Sequence, residues 1–415
     1  MNRSEILKKI DNPRELEKLY QENKAAFKRE FNLLYPELTD NKLADYWNER
    51  LNYESGEISW GSKNELIFVI IASLIAGVIA KLPVLLNIIP ESFYQRNIGF
   101  IIFPVLTIYF IWRKNLSTKK IAFAGVAFLI ALIFINLLPA DNKSDSLILS
   151  CIHLPLFLWA VLGFTYVGDN IRSYPKRLDF LRYNGDLVIM TGLLAIAGAI
   201  LSAITIGLFS VIGLNIENFY IENIGIFGAA ALPIVATYIT QTNPQLVNKV
   251  SPVIAKIFSP LVLITLVIYL VAILFSGKDP YTDRNFLMVF NFLLIGVMAI
   301  ILFSVAETFK KNENRTGSYI LFALSIVTII VNGIALSAIL FRISEWGITP
   351  NRLTVLGGNI LMLTNLSMVT FKLFKNITKK ADISEVENSI SMFLPVYILW
   401  TLIVTFIFPL IFLFK

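Results

Sequence analysis

Few residues in this chain are equipped for chemistry. A single cysteine, Cys151, allows neither an internal disulfide nor a CxxC metal or redox pair. A single histidine, His153, excludes a histidine-rich zinc centre and the HExxH pair. The chain carries no GxxxxGK phosphate loop and no GxSxG nucleophile elbow. No catalytic set, metal site or cofactor is therefore expected, and ATP-driven pumping by this chain alone is disfavoured. What remains is a short set of polar side chains within apolar runs, where unpaired charge is expensive and so marks a candidate site.

Lys81 stands in "GVIAKLP" on a face of small residues, just before Leu82-Pro83, where the proline frees a backbone carbonyl. It either lines a solute path or snorkels to headgroups about two turns away. His153, beside Leu154-Pro155, either relays protons or satisfies a carbonyl freed by the proline. With no second histidine and no carboxylate in that run, the structural reading leads.

Ser325, Thr328, Asn332 and Ala335 share a helical face leading to Arg342, and Asn359 lies on one stripe with Arg352. In the loop "FRISEWGITPNRLTVL", Thr349-Pro350 reads as an N-cap and first helical position. Arg342 and Arg352 beside that helix start are an expected site for a carboxylate or lipid phosphate, unless Glu345 pairs with one of them. In "GDNIRSYPKRLDFLRYNGDLVI", Asp169, Arg172, Asp179, Arg182 and Asp186 alternate in sign. That pattern suits a solvated interfacial helix held by its own ion pairs.

The elements that position these groups follow from composition. The 415 residues are 56% hydrophobic and 16% charged, with a mean hydropathy of +0.69, where soluble domains are about a quarter charged. So much apolar surface must face lipid, and the expected fold class is all-α, a polytopic transmembrane helical bundle. A crossing needs about 20 apolar residues. That ruler gives eleven spans, at about 66–88, 97–112, 120–139, 146–167, 187–213, 223–240, 252–276, 285–306, 318–341, 352–373 and 390–414.

Orientation follows from basic residues. With the amino end inside, the cytoplasmic loops hold 17 Lys/Arg and the opposite loops hold 7, counting Arg96, Lys143, Lys278, Arg284, Arg342, Arg352 and Lys415. The carboxyl terminus then lies outside. Helices associate in lipid through small residues. Rows four apart occur at Ala72-Ala76-Ala80, at Ser73-Gly77-Lys81, and at Thr191, Ala195, Ala199, Ala203 and Gly207. With Gly225, Gly228 and Ala229–Ala231, they predict a tight centre built from the first, fifth and sixth spans.

Residues 1–64 form a separate polar domain, and 65–415 the transmembrane domain. The first apolar run starts near Leu66, so no cleavable signal peptide is expected. Asn12-Pro13 with Glu15 starts a helix carrying Leu16, Leu19, Tyr20, Phe27, Phe31 and Leu34. Thr39 or Asp40 caps a second with Leu43, Tyr46, Trp47 and Leu51. The expectation is a cytoplasmic amphipathic hairpin, either docking a partner protein or capping its own bundle. Its 11 Lys/Arg against 12 Asp/Glu speak against a polybasic tail and against nucleic acid as a partner.

"RISEWGITPNRL" resembles the Arg-Ile … Tyr-Gly-Leu-Thr … Arg signature of polytopic bacterial membrane proteins grouped as domain of unknown function 4153. Trp346 stands where that family often has tyrosine, and Ile348 where it often has leucine. "FLRYNGDLVI" is similar to the family's hydrophobic-Leu-x-Tyr-x-Gly-acid stretch, with Asp186 for the commoner glutamate. The resemblance covers roughly residues 66–410, and the amino-terminal hairpin looks like an addition seen in Bacteroidota-type members. It implies a bacterial inner-membrane protein, supplies no reaction, and carries over Arg342, Glu345, Gly347, Thr349, Arg352 and Asp186 as candidates.

Two functions follow as expectations. The first is transport of a small or anionic solute. The first and sixth spans place "GVIAKLP" and "GAAALP" in opposite orientations, the pointer to an inverted repeat with a midplane site. It requires Lys81 to lie near the Pro233 region and a polar cavity lined by either. The alternative is a sensor, scaffold or assembly partner, using the hairpin and outer loop as contacts. A transferase acting on lipid-linked substrates would need His153 and Glu345 to meet.

Overall fold

In a computed structural model of the protein, the described residues are 3–22, 24–38, 41–52, 61–139, 144–169, 171–211, 214–275, 281, 284–308 and 315–414. Every regular element among them is a helix. The chain divides into two compact units, Met1–Ser59 and Trp60–Lys415.

The smaller unit holds α1 (Arg3–Lys8), α2 (Pro13–Glu22), α3 (Lys24–Leu34), a 3-10 turn at Tyr35–Glu37, and α4 (Lys42–Asn52). Asn12 Oδ1 accepts from the backbone N–H of Arg14 and Glu15, at 3.2 and 3.3 Å, with Pro13 in the first helical position. Asn41 caps α4 in the same way through Leu43 and Ala44, and Thr39 and Asp40 lie outside the described residues. The apolar stripe expected on one helix is divided between α2 and α3. The two helices bury Leu16, Leu19, Phe27, Phe31 and Leu34 with Trp47 and Leu51. Tyr46, expected in that core, is 73% exposed.

The larger unit holds α5 (Lys63–Leu85), α6 (Pro90–Lys114), α7 (Thr118–Leu137), α8 (Asp145–Val167), α9 (Tyr174–Val211) and α10 (Glu217–Thr242). These are followed by α11 (Pro244–Phe275), α12 (Arg284–Thr308), α13 (Arg315–Trp346), α14 (Pro350–Ile377) and α15 (Ile383–Ile411). Over the described residues nine of them are long and apolar enough to cross a membrane. The others, α11 and α12, contribute the shorter apolar stretches Phe258–Ile268 and Leu293–Ala306. The chain is a polytopic helical membrane protein. Each of the eleven predicted runs falls on one of these helices, although residues 212, 213 and 276 lie outside the described set. So do Lys143, Lys278, Lys310, Lys311 and Lys415 from the charge tally.

Two large apolar cores form in this unit, beside smaller clusters around Ile135 and Leu158 and around Val404. Helices α5, α6, α8 and α10 build one around Ala76, Tyr109, Phe110 and Leu162, to which α9 adds Phe180 and Tyr183. Helices α11 to α15 build the other around Ile301, Leu324, Val331, Val369 and Ile390, against which Leu181 of α9 packs.

Within the first core α5 and α10 run antiparallel. Lys81 meets Asn223, a Cβ on Gly77 would fall 2.2 Å from the Phe227 ring, and Gly61 lies against Tyr238 and Thr242. This register sets Pro233 level with about Ile71, so roughly 15 Å of helix separates it from Lys81. The nearness required of Lys81 and the Pro233 region is not met.

The predicted centre also changes. Ala72, Ala76 and Ala80 of α5 are buried. On α9, however, Ala199, Ala203 and Gly207 are exposed, and a Cβ added at Gly192, Gly198 or Gly207 meets nothing. The close approach on this 38-residue helix occurs at Gly185, where a Cβ would come 2.0 Å from the Phe303 ring of α12. The start of α9 is held between the two cores, and the small-residue row extends beyond them.

Candidate functional site

The segment resembling a family signature, Phe180 to Ile189, proves to be a junction. Phe180 packs its ring on Gly163 and Trp159 of α8. Arg182 Nε donates to the Ala306 carbonyl of α12 at 2.7 Å, Nη2 to Glu387 Oε1 of α15 at 2.9 Å, and Nη1 to Asp179 at 3.2 Å. The Tyr183 and Thr237 hydroxyls pair at 2.8 Å, joining α9 to α10. Asn184 Oδ1 accepts from Trp159 Nε1 at 2.8 Å. Four side chains within about one and a half turns thus engage four different helices, with Gly185 admitting Phe303. Asp186 is half-buried on the same helix. Asp179–Arg182 is the internal ion pair expected of this stretch, and Glu387 is a partner the local pattern did not reveal. Asp169 pairs with Lys120, while Arg172 is exposed and has no partner among the described residues.

A second polar site lies inside the other core. Asn332 of α13 is 1% exposed and donates from Nδ2 to the Asn359 carbonyl at 3.3 Å. Asn359 of α14, also 1% exposed, donates to Asn291 Oδ1 of α12 at 2.9 Å. Three helices are thereby linked through amides, the use of polar side chains that lipid favours. The Asn332 Oδ1 and Asn365 Oδ1 atoms are buried with no hydrogen-bond partner among the described residues.

The outer loop is built as a helix-to-helix corner. Gly347, at φ +75°, ends α13, and Thr349 Oγ1 accepts from the Arg352 N–H with Pro350 in the first position. Arg352 Nη1 donates to the Trp346 and Gly347 carbonyls at 2.7 and 2.8 Å, satisfying groups the helix end leaves open. Arg342 Nε donates to the Tyr281 carbonyl at 2.9 Å. Both guanidinium groups lie over the Trp346 ring, 5.4 and 5.7 Å from its centre. Glu345 is exposed and pairs with neither arginine. The expected internal pairing is therefore absent among the described residues, because the arginines are taken by carbonyls and Trp346.

Lys81 is half-buried and donates to Asn223 Oδ1, in the π-helical turn Tyr220–Gly225 of α10. His153 Nδ1 lies 2.9 Å from the Leu149 carbonyl, one turn back on α8. The carbonyl released by Pro155 belongs to Cys151, so the histidine does not fill the role foreseen for it. No hydrogen bond or ion pair among the described residues joins His153 to Glu345.

Three polar arrangements escaped the sequence reading. Glu65, 9% exposed, takes a hydrogen bond from Tyr109 at 2.6 Å and one from Arg113 at 2.5 Å, while Arg113 also holds the Gln241 carbonyl at 2.9 Å. Its signal was the capping box "SKNE", in which Ser62 Oγ accepts from the Glu65 N–H. Arg96, counted as a loop charge, is buried and donates to the Ile135, Leu138 and Pro139 carbonyls at the end of α7. Asn97 and Asn136 exchange reciprocal amide hydrogen bonds at 3.1 and 2.9 Å.

The amino-terminal unit carries a cleft of about 580 Å³ between α2 and α4, lined by Arg14, Glu17, Leu43, Tyr46, Trp47 and Arg50. Arg50 stacks 4.7 Å above Trp47 and pairs with Glu17 at 2.6 Å. Lys81 and Pro233 do not line this cleft. Among the described residues no group of three His, Cys, Asp or Glu side chains is placed to hold a metal ion. Compared with known proteins, the chain matches no family model, no curated protein and no solved structure.

Proposed function

We propose that this membrane protein is a non-catalytic assembly or docking module whose amino-terminal unit binds another protein on the cytoplasmic side. One observation carries the reading. Among the described residues Lys81, Arg96, Asn97, Asn136, Asn332 and Asn359 each bond to groups of the same chain, while Tyr46 stands exposed at a cleft flanked by Arg14. The 17-to-7 distribution of basic residues supports an amino end inside and a carboxyl end outside. A bacterial inner membrane, and membership of the domain of unknown function 4153 group, rest on the two signature stretches alone. An anionic solute or lipid headgroup at the Arg342–Arg352 corner belongs to the same set of proposals.

Transport of a small anionic solute is the second reading, favoured by Lys81 facing a π turn, a local departure from α-helix of the kind that accompanies sites. One experiment separates the two. A photo-crosslinking residue at Tyr46 of the full chain is expected to give one discrete adduct in cells, lost in Arg14→Glu. Absence of an adduct, with anion flux in proteoliposomes that Lys81→Met abolishes, would replace docking by transport.

A further inference from the structure

A groove of about 350 Å³ runs between α5 and α10, walled by Leu66, Ile70 and Leu74 on one side and Ala231, Val235 and Ile239 on the other. Its walls are apolar along its length, and the Ser73 hydroxyl within it has no hydrogen-bond partner among the described residues. The groove begins one turn inside the start of α5 and stops near the middle of that 23-residue helix. From Lys63 to Leu74 the helix rises roughly 17 Å, close to half of the about 30 Å hydrocarbon core. The slot therefore reaches from one headgroup level to the midplane, the length of a single leaflet.

Its mouth is positively charged. Lys63, Leu66, Ile70 and Leu74 fall on one helical face, at spacings of three, four and four residues, so Lys63 crowns the groove. Near this level Glu65 and Arg113 pair at 2.5 Å, and Lys114 follows Arg113 at the same helix end. Lys63 is exposed and has no ion-pair partner among the described residues, so its positive charge stands at the mouth.

We infer that this groove holds one acyl chain of an anionic phospholipid, with the phosphate beside Lys63. The groove's depth selects a chain anchored at that interface, and the lysine favours an anionic headgroup over a zwitterionic one. The inference stands apart from the docking and transport readings, since neither uses these residues.

Native mass spectrometry of the full chain in detergent, titrated with phosphatidylglycerol or phosphatidylcholine, tests it. One phosphatidylglycerol is expected to bind in preference, and Lys63→Gln should weaken it about fivefold with little change for phosphatidylcholine. Ala231→Phe fills the groove and should abolish the adduct. Ile70→Trp, at an exposed rim position, does the same should the first variant fail to fold. Retention of the adduct in a folded groove-filling variant would overturn the inference, as would equal binding of both lipids unaffected by Lys63→Gln. Disulfide-linked chains formed through Ile70→Cys in a Cys151→Ser background would also overturn it, assigning the groove to a second copy.

Discussion

Arg182 and Glu387 meet at 2.9 Å and join the start of α9 to the first turns of α15. The same guanidinium holds the Ala306 carbonyl, so one side chain ties three helices. Both partners keep about a fifth of their side-chain surface accessible. Removing one member of such a pair strands the other. Arg182→Met is expected to destabilise the chain by about 2–4 kcal/mol, toward the lower end for a buried pair. Glu387→Gln retains an acceptor and should cost about 1 kcal/mol. Thermal melting in detergent distinguishes the two, and equal effects would remove Arg182 from the junction.

Two glycines on α9 are predicted to behave oppositely. A Cβ at Gly185 collides with Phe303, so Gly185→Ala should destabilise by about 1–3 kcal/mol. A Cβ at Gly192 meets nothing, so Gly192→Ala should be neutral or stabilising by up to about 1 kcal/mol through helix propensity. The same melting assay reads both.

The asparagine chain offers a similar contrast. Asn359→Leu forfeits the bond to Asn291, at about 0.6–1.7 kcal/mol in a membrane bundle. Asn332→Leu gives up a 3.3 Å bond but also removes a buried, unpartnered oxygen. Its net effect should be within about 0.5 kcal/mol of zero. A larger loss for Asn332 than for Asn359 would mean that its oxygen has a partner such as a bound water.

At the outer corner, Arg352→Ala uncovers the Trp346 and Gly347 carbonyls and should cost about 1 kcal/mol. Glu345→Gln should change stability by less than about 0.5 kcal/mol. Hydrogen exchange at the end of α13 should rise in the first variant only.

In the amino-terminal unit, hydrogen bonds from Lys18 and then Lys9 hold the Glu15 carboxyl below its ordinary value of 4.5. A depressed carboxylate lends stability above its unfolded value, and that stability is lost as pH falls through the folded one. Protection of α2 against hydrogen exchange should therefore decline in the acid range below 4.5, at a higher pH in Lys18→Met than in the parent chain.

What could be read from the sequence was what a single helix writes into it. Apolar runs of crossing length, the Asn12-Pro13 start and the Thr349-Pro350 start are local, and the structure places helices at each. Asn332 and Asn359 were legible as polar positions within apolar runs, though not as neighbours. Glu65 with Tyr109 and Arg113 was hidden because its members sit on separate helices and Glu65 looks like an ordinary capping acid. Arg96 resembles a loop charge until α7 ends beside it. The α9 row of small residues misled because such a row permits close approach without supplying a neighbour.

The long reach of two contacts has a consequence for biosynthesis. Ser150 on α8 donates to the Thr405 carbonyl, 255 residues later, and Arg182 waits 205 residues for Glu387. A ribosome adding about 5–20 residues per second needs some ten to fifty seconds to deliver these partners. Throughout that interval Arg182 has Asp179 and then the Ala306 carbonyl as partners, while the Ser150 hydroxyl lacks the Thr405 carbonyl. A chain truncated before α15 lacks both contacts: Arg182 keeps Asp179 and Ala306 but loses Glu387, and the Ser150 hydroxyl loses its acceptor.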